Sequence, residues 1–481
     1  MRVGDRGLKK MNQWTSAFEA FAQNVLEQAK APGAVIAVAQ DGKLLYSQTF
    51  GWRNREERLP VTLDTVFGIA SVTKSFTCAA IMKLQEAGKL SVDDPVSRYL
   101  PEFRFRDERW TNGITIHHFM THTPGMPPLP FLDGAMKRSM EQDPIVAGTQ
   151  EEEELKSVPY VDTYEDVMEA IASYEGMELA LPGEAFSYNN DGYGLLGAII
   201  ERVSGQPYET YVAEQILQPL GMTRTVFHVE ELADREDVTT LYKRMKTDGE
   251  EQVVAAPYWR DAPAMRACGF LKSTARDLLA YLELYRTGGA KEGGASLLSA
   301  ASLKQMTHPH ARCDGYRSYG YGLMVSPAFP DGVLIEHGGS LKGISSHIFA
   351  LPQKELTGVV LCNADGVPVR ELVVGLLNAI AGREPDAWPY PVQASGLAPE
   401  RHPEYTGTYK SDEWMELEIE SRDGELFLTV DGQSYPLIPV ETDSFVFLRG
   451  NSVVWIDFFR SAAGEVARVS YALRQLLRTA S

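Results

Sequence analysis

A chain of 481 residues is longer than one hydrophobic core ordinarily serves, so two or three domains are expected. Its net charge of −19 argues against nucleic acid and anionic membrane surfaces as partners. With 44% hydrophobic and 23% charged residues and no apolar run of spanning length, it reads as globular, with no membrane segment. The four cysteines (Cys78, Cys268, Cys313, Cys362) form no CxxC pair and no metal-type spacing, which suits a reducing compartment. The N-terminal stretch lacks the apolar region of a secretory signal, so the sequence as it stands reads as cytoplasmic.

Residues 12–31 carry Trp14, Phe18, Phe21 and Val25 at helical spacing. Two strand-like runs, 34–39 and 43–50, then flank Asp41-Gly42, a hairpin turn signal. Residues 73–86 read as a helix that Gly88 can stop. A proline-rich, loop-rich region follows to about residue 185, and its stretch from Glu151 to Glu184 holds eleven acidic residues and one basic. That stretch reads as a solvated helical insertion, with substrate steering as the alternative. Residues 193–203 form another helix ended by Ser204-Gly205, and 274–286 a further one. Segments 332–335, 346–351 and 358–362 read as a strand meander, and 370–381 as a helix. Five prolines within 382–404 mark a linker. Beyond it, Leu417/Ile419, Leu426/Leu428 and Phe445/Phe447 alternate between hairpin turns at Asp423-Gly424 and Asp431-Gly432, the texture of a small all-β meander barrel.

Ser71-Val-Thr-Lys74 opens the 73–86 helix. Residues i and i+3 share a face, so Lys74 lies within reach of a hydroxyl too weakly acidic to attack alone. The helix N-terminus also favours developing negative charge. A lysine titrating near ~10.4 must be desolvated or placed near another cation to serve as a base. Alone, the tetrapeptide is equally a capping serine beside a solvated lysine. Two further segments point to chemistry: Ser187-Tyr188-Asn189-Asn190 in a loop before a helix, and Glu336-His337-Gly338-Gly339-Ser340 along a strand edge.

The order Ser-x-x-Lys, Tyr-x-Asn, His-x-Gly resembles class C β-lactamases, their penicillin-binding relatives, D-aminopeptidases and related carboxylesterases. The run Thr115–Gly125 (TIHHFMTHTPG), the stretch from Tyr193 to Met222 ending in PLGM, and Cys268-Gly-Phe-Leu-Lys-Ser273 extend the resemblance over about 15–380. It implies an α/β (α+β) fold, an antiparallel sheet flanked by helices plus a helical subdomain. The hydrolase domain then spans 12–382, with a helical, loop-rich insertion at about 90–260. A linker at 383–403 and a lipocalin-like β domain at 404–481 follow, as in D-stereospecific peptidases of this family. In those relatives the barrel helps shape or cover the cleft.

The resemblance assigns Ser71 as nucleophile, Lys74 and Tyr188 to the proton work, and Asn190 to Lys74 or the substrate amide. Lys74 and His337 are the cations available to Tyr188. Gly338 and Gly339 let substrate approach the strand, and the backbone N–H groups of Ser71 and Ser340 form the oxyanion hole. His337, where β-lactamases usually carry lysine, is neutral for much of the time at pH 7 and shifts the expectation toward a peptidase, amidase or esterase. The expected function is an acyl-enzyme hydrolase of D-residue-containing peptides or amides. A carboxylesterase with weak β-lactamase activity and a slow penicillin- or ligand-binding protein are the alternatives. No cofactor or metal is expected; the partners are small molecules or short peptides, and the oligomeric state is open. His118 and His122, four apart, could ligate zinc, but no Glu lies between them in the protease pattern and the family loop accounts for His122. His308-Pro-His310 reads as loop. Tyr316, Tyr319 and Tyr321 fit either a cleft wall or core packing.

Overall fold

The computed structural model describes residues 4–247, 250–289, 296–413 and 415–479. An antiparallel sheet of nine strands forms the frame of the first domain. Its centre is the hairpin Gly33–Gln40 and Lys43–Asn54 joined to the meander Leu334–Leu341, Ile344–Leu351 and Leu356–Cys362. The first hairpin closes as its turn residues require, with Asp41 at φ 50° and Gly42 at φ 68°. Strand Gly33–Gln40 is buried on both faces, which explains its continuous run of Val, Ile and Ala instead of an alternation.

Helices Gly4–Gln28 and Val369–Ile380 pack together on the outer face of the sheet, where Phe18, Val360, Leu372 and Leu376 share a core. Helix Ala275–Thr287 covers the inner face, capped by Thr274 and stopped by Gly288 in the left-handed region. Deeper on that side, helix Thr73–Glu86 is buried along almost its whole length against helix Asn190–Ser204, itself ended by left-handed Gly205. The loop-rich region contains short helices at Glu108–Gly113, Phe131–Glu141, Gln150–Ser157 and Tyr164–Ser173, the last two in the stretch read as a helical insertion. Asp107 and Thr163 cap two of them, Tyr164–Ser173 buries Val167, Met168 and Ile171 on one face, and Gln150–Ser157 buries only Leu155. The segment that leads into the acidic stretch is anchored. Asp143 is buried and accepts from Arg260 at 2.7 Å and from Lys342 at 2.6 Å, tying it to the turn just after Ser340.

The C-terminal domain is a nearly closed barrel of nine strands running from Gly407–Lys410 to Arg474–Arg478, an up-and-down meander closed by pairing of those two strands. Its interior is filled by side chains including Tyr409, Leu417, Leu428, Phe447, Phe458 and Leu476. The proline-rich connection is packed down, with Tyr390 stacked on Tyr316 at 4.3 Å between ring centroids. Among the described residues, no helix is long and apolar enough to cross a membrane.

Candidate active site

Ser71 lies in a single 3-10 turn, Ala70–Val72, which runs directly into helix Thr73–Glu86. Ala70, the residue before it, is held at φ 43°, a conformation that costs a residue with a Cβ and is kept only where the surroundings impose it. Thr73 Oγ1 donates to the Ala70 carbonyl at 2.7 Å and braces the turn. Lys74 is completely buried. Its Nζ donates to Ser71 Oγ at 3.2 Å, to Asn190 Oδ1 at 2.9 Å and to the Cys268 carbonyl at 2.6 Å, and lies 4.8 Å from the Tyr188 ring centroid. All three donors of the ammonium are thereby used, which aims the amine at the serine.

Tyr188 and Asn190 are set by the segment before helix Asn190–Ser204. Asn189 caps that helix by accepting from Gly192 N at 2.7 Å. Asn189 N donates to His122 Nδ1 at 3.0 Å, so the buried His122 carries its proton on Nε2, against a cage formed by Phe186, Tyr188, Tyr193 and Tyr319. Burial and the nearby Lys74 charge hold the His122 pKa well below the ordinary value, so the ring stays neutral.

His337 stands on strand Leu334–Leu341, 6.4 Å from Tyr188 between ring centroids. Its Nδ1 donates to the Gly338 carbonyl at 2.6 Å, which leaves Nε2 to accept from the Tyr319 hydroxyl at 2.8 Å. Burial first, and then Lys74, push its pKa down to about 3. His337 is therefore a neutral hydrogen-bonding group and supplies no positive charge to Tyr188. The cation on the Tyr188 ring, besides Lys74, comes from the barrel: the Arg474 guanidinium carbon lies 4.8 Å from the ring centroid, with Nε donating to Glu413 at 2.7 Å.

Gly339 has a second reason, inside the chain itself, beside the approach of substrate that its sequence suggests. A Cβ there would fall 2.1 Å from the Ile69 carbonyl oxygen and 2.5 Å from Ser346 Oγ, so the chain's own turn, two residues before the nucleophile, needs the space. At Gly338 the nearest atom is His347 Nδ1, at 3.1 Å. Gly339→Ala is expected to lower stability by about 1–3 kcal/mol and to slow reaction at Ser71 by about 10²-fold. Gly338→Ala is expected to be mild, because a side chain can yield where backbone cannot. Thermal melts and probe-labelling rates of the two variants check the contrast.

These residues open into a cleft of about 470 Å³ lined by Ser71, Tyr188, Asn190, His337 and Ser340, with Leu473 and Arg474 reaching in from the barrel. Gly338 and Gly339 line it as well. Arg317 and Arg370 lie on its wall, and no carboxylate does so among the described residues. Tyr319, read as cleft wall or core, fixes His337, whereas nothing in the sequence marks Leu473 and Arg474 as site residues. Their position depends on how the two domains meet. His118 bonds back to Thr115 in a capping box, and His310 stacks on Tyr321 with Nε2 on the Gln305 carbonyl.

The family model described as Beta-lactamase matches residues 18–381. An octameric penicillin-binding protein homologue from Pyrococcus abyssi is 30% identical, with a TM-score of 0.67 over 96% of this chain and 100% of that one. The structure of SurE with D-Leu is 26% identical, with a TM-score of 0.65 over 98% of this chain and 100% of that one. Penicillin-binding protein 4* of Bacillus subtilis is 24% identical over 93% of each chain.

Proposed function

The chain belongs to the Beta-lactamase family as a serine hydrolase, and from that premise we propose that it is an acyl-transferring peptidase or amidase that prefers D-residue-containing substrates. The observation that carries the reading is the Ser71–Lys74–Asn190 hydrogen-bonded set with Tyr188 beside it at the floor of one cleft. Ser71 Oγ attacks the carbonyl carbon, and its proton passes to the Lys74–Tyr188 pair as the new C–O bond forms. The Ser71 and Ser340 backbone N–H groups hold the oxyanion. The C–N bond breaks as the pair returns the proton to the leaving amine. Water then attacks the acyl-enzyme, giving up a proton by the same route, and Ser71 is restored.

Two observations support a substrate of this class. A related protein has been solved with D-Leu. On the cleft wall Arg317 and Arg370 are paired with Asp314 and Glu336, whereas, among the described residues, Arg474 gives Nε to Glu413 and Nη1 to the Ala472 carbonyl, contacts that leave Nη2 unused where neutral His337 offers no charge. That arrangement suits a leaving group ending in a carboxylate. Arg474→Ala is then expected to raise KM about tenfold or more only for substrates with a free terminal carboxylate, on the scale of one charged hydrogen bond, while loss of the cation beside Tyr188 lowers kcat for these substrates and their C-terminal amides alike.

A panel of D- and L-residue peptides, amino-acid amides and short p-nitrophenyl esters tests the reading. D-amides and D-peptides are expected to turn over in preference to their L counterparts. Turnover confined to short esters would move the assignment to a carboxylesterase. The filled interior of the barrel weighs against a ligand-carrying role for that domain.

A further inference from the structure

The backbone that carries Tyr188 is held from two sides. On the inner side, Ser187 N donates to the His122 carbonyl at 2.9 Å and Asn189 N to His122 Nδ1 at 3.0 Å. On the outer side the partner is the last hairpin of the barrel, Val466–Tyr471 with Arg474–Arg478. Tyr188 N donates to the Leu473 carbonyl at 2.8 Å, and Gln475 N donates to Ser187 Oγ at 3.1 Å. Gln475 is 3% exposed. Its Nε2 donates to the Phe186 carbonyl at 3.0 Å, while its Oε1 accepts from Arg468 at 2.7 Å. One amide thus joins the barrel to the catalytic segment with both of its polar ends used. A buried amide so engaged cannot be withdrawn without leaving the Phe186 carbonyl and the Arg468 guanidinium short of partners.

The tip of this hairpin is an independent observation. Tyr471 pairs with Arg474 across a two-residue turn, with Ala472 at φ 47° and Leu473 at φ 68°. Such turns favour Asn-Gly, because a side chain is strained at both central positions. Elsewhere in this barrel the rule is kept, with Asp-Gly at 423–424 and 431–432. At 472–473 it is broken, and the leucine there packs against the cluster of Tyr188, Cys313, Tyr319 and Met324. Strain kept at a position where the side chain and the carbonyl both meet one tyrosine points to function rather than to turn formation.

We propose that this hairpin is a positioning arm of the active site, in which the Leu473 carbonyl and the Gln475 amide fix the backbone of residues 186–188 and thereby the Tyr188 phenol relative to Ser71. The proposal rests on the reading of Tyr188 as a proton-transfer group. Leu473 and Gln475 are positioning residues: they act through Tyr188, and the barrel is part of the acylation machinery as well as a wall of the cleft.

The test uses the full chain, labelled at Ser71 by a fluorophosphonate across a range of pH, with melting temperatures recorded for each variant. Gln475→Leu is expected to slow labelling by about 10- to 100-fold, the scale of a sub-ångström to 1 Å misplacement, and to displace the midpoint of the pH–rate profile. Gln475→Glu keeps an acceptor for Arg468 but sets a carboxylate oxygen against the Phe186 carbonyl, so it is expected to show the same displacement in the protein that its melting curve shows to be folded. Leu473→Gly relieves the turn and keeps the carbonyl but removes the side chain packed on the Tyr188 cluster and frees the backbone, so it is expected to slow labelling while the barrel stays folded. The proposal is overturned if Gln475→Leu and Leu473→Gly label at the wild-type rate, or if labelling falls only as folded protein is lost and the pH profile stays fixed. Tyr188→Phe separates the two readings. Unimpaired labelling of that variant removes the role of Tyr188 itself, whereas slow labelling beside a normal Gln475→Leu removes only the arm.

Discussion

Ser71→Ala is expected to abolish labelling by a fluorophosphonate and to lower hydrolysis by about 10⁴-fold or more, the scale seen when a catalytic serine is removed. The change is clean. Ser71 contributes a hydroxyl at a partly exposed position, and Lys74 keeps Asn190 Oδ1 and the Cys268 carbonyl as partners when it is gone. The fold and melting temperature should therefore hold while chemistry stops. Lys74→Ala is a harsher change, since it leaves two buried acceptors without their donor, at about 1–3 kcal/mol of stability, and removes the amine beside the nucleophile. Rates of labelling read with intact mass, alongside melts, separate the two. If Ser71→Ala still acquires the probe mass, another residue is the nucleophile and the reading of this cleft fails.

What could be read from the chain in advance was what local physics writes into it. Asp41-Gly42 announces a hairpin because only such residues take two successive left-handed conformations cheaply, and the turn has that form. The alternation at Leu417/Ile419 is set by burial of one face, and the strand lies where that pattern puts it; the helix from Thr73, buried nearly all round, also lies where it is expected. The order of the short motifs identified the family. The rest depended on distance through space. His337 reads as a titratable residue until its burial beside Lys74 and its hydrogen bonds to Gly338 and Tyr319 make it a neutral one. Gly339 reads as a gap for substrate alone until the Ile69 carbonyl is found against it. Arg474 and Gln475 carry no motif, and their neighbours Ala472 and Leu473 lack the residues of a normal turn. Nothing local could place them against Tyr188, far away in the chain. The features hidden from the sequence are thus those made by residues far apart in the chain meeting in space, within the first domain as well as between the two.

Glu336, the residue before His337, governs the largest expected effect on stability. Its carboxylate is fully buried, with Oε1 accepting two bonds from Arg370 at 2.9 and 3.0 Å and Oε2 facing His347 Nε2 at 3.0 Å. Burial alone would raise its pKa, but the Arg370 charge, the His347 hydrogen bond and the Arg317 charge outweigh that and hold it well below its usual 4.5. Glu336→Ala leaves the Arg370 guanidinium without its counter-ion at a buried site and is expected to cost about 3–5 kcal/mol. Glu336→Gln, which keeps the shape and an acceptor for Arg370, should cost less. The sign of the pH dependence follows from the lowered pKa. The unfolded chain binds a proton at Glu336 that the folded chain refuses, so the carboxylate stabilises the fold above about 4.5, the usual glutamate value. That contribution drains away as pH falls below this value toward the folded pKa. Urea unfolding of the wild type and Glu336→Gln at several pH values checks it: the gap between them should be widest near neutrality and narrow as pH falls below that value. A gap that stays constant with pH would mean that the carboxylate is not held charged by its neighbours. Because the strand that carries Glu336 also carries His337, Gly339 and Ser340, its loss should loosen the wall against which Ser71 is placed. Labelling of Ser71 in Glu336→Ala is then expected to slow even at temperatures where the variant remains folded.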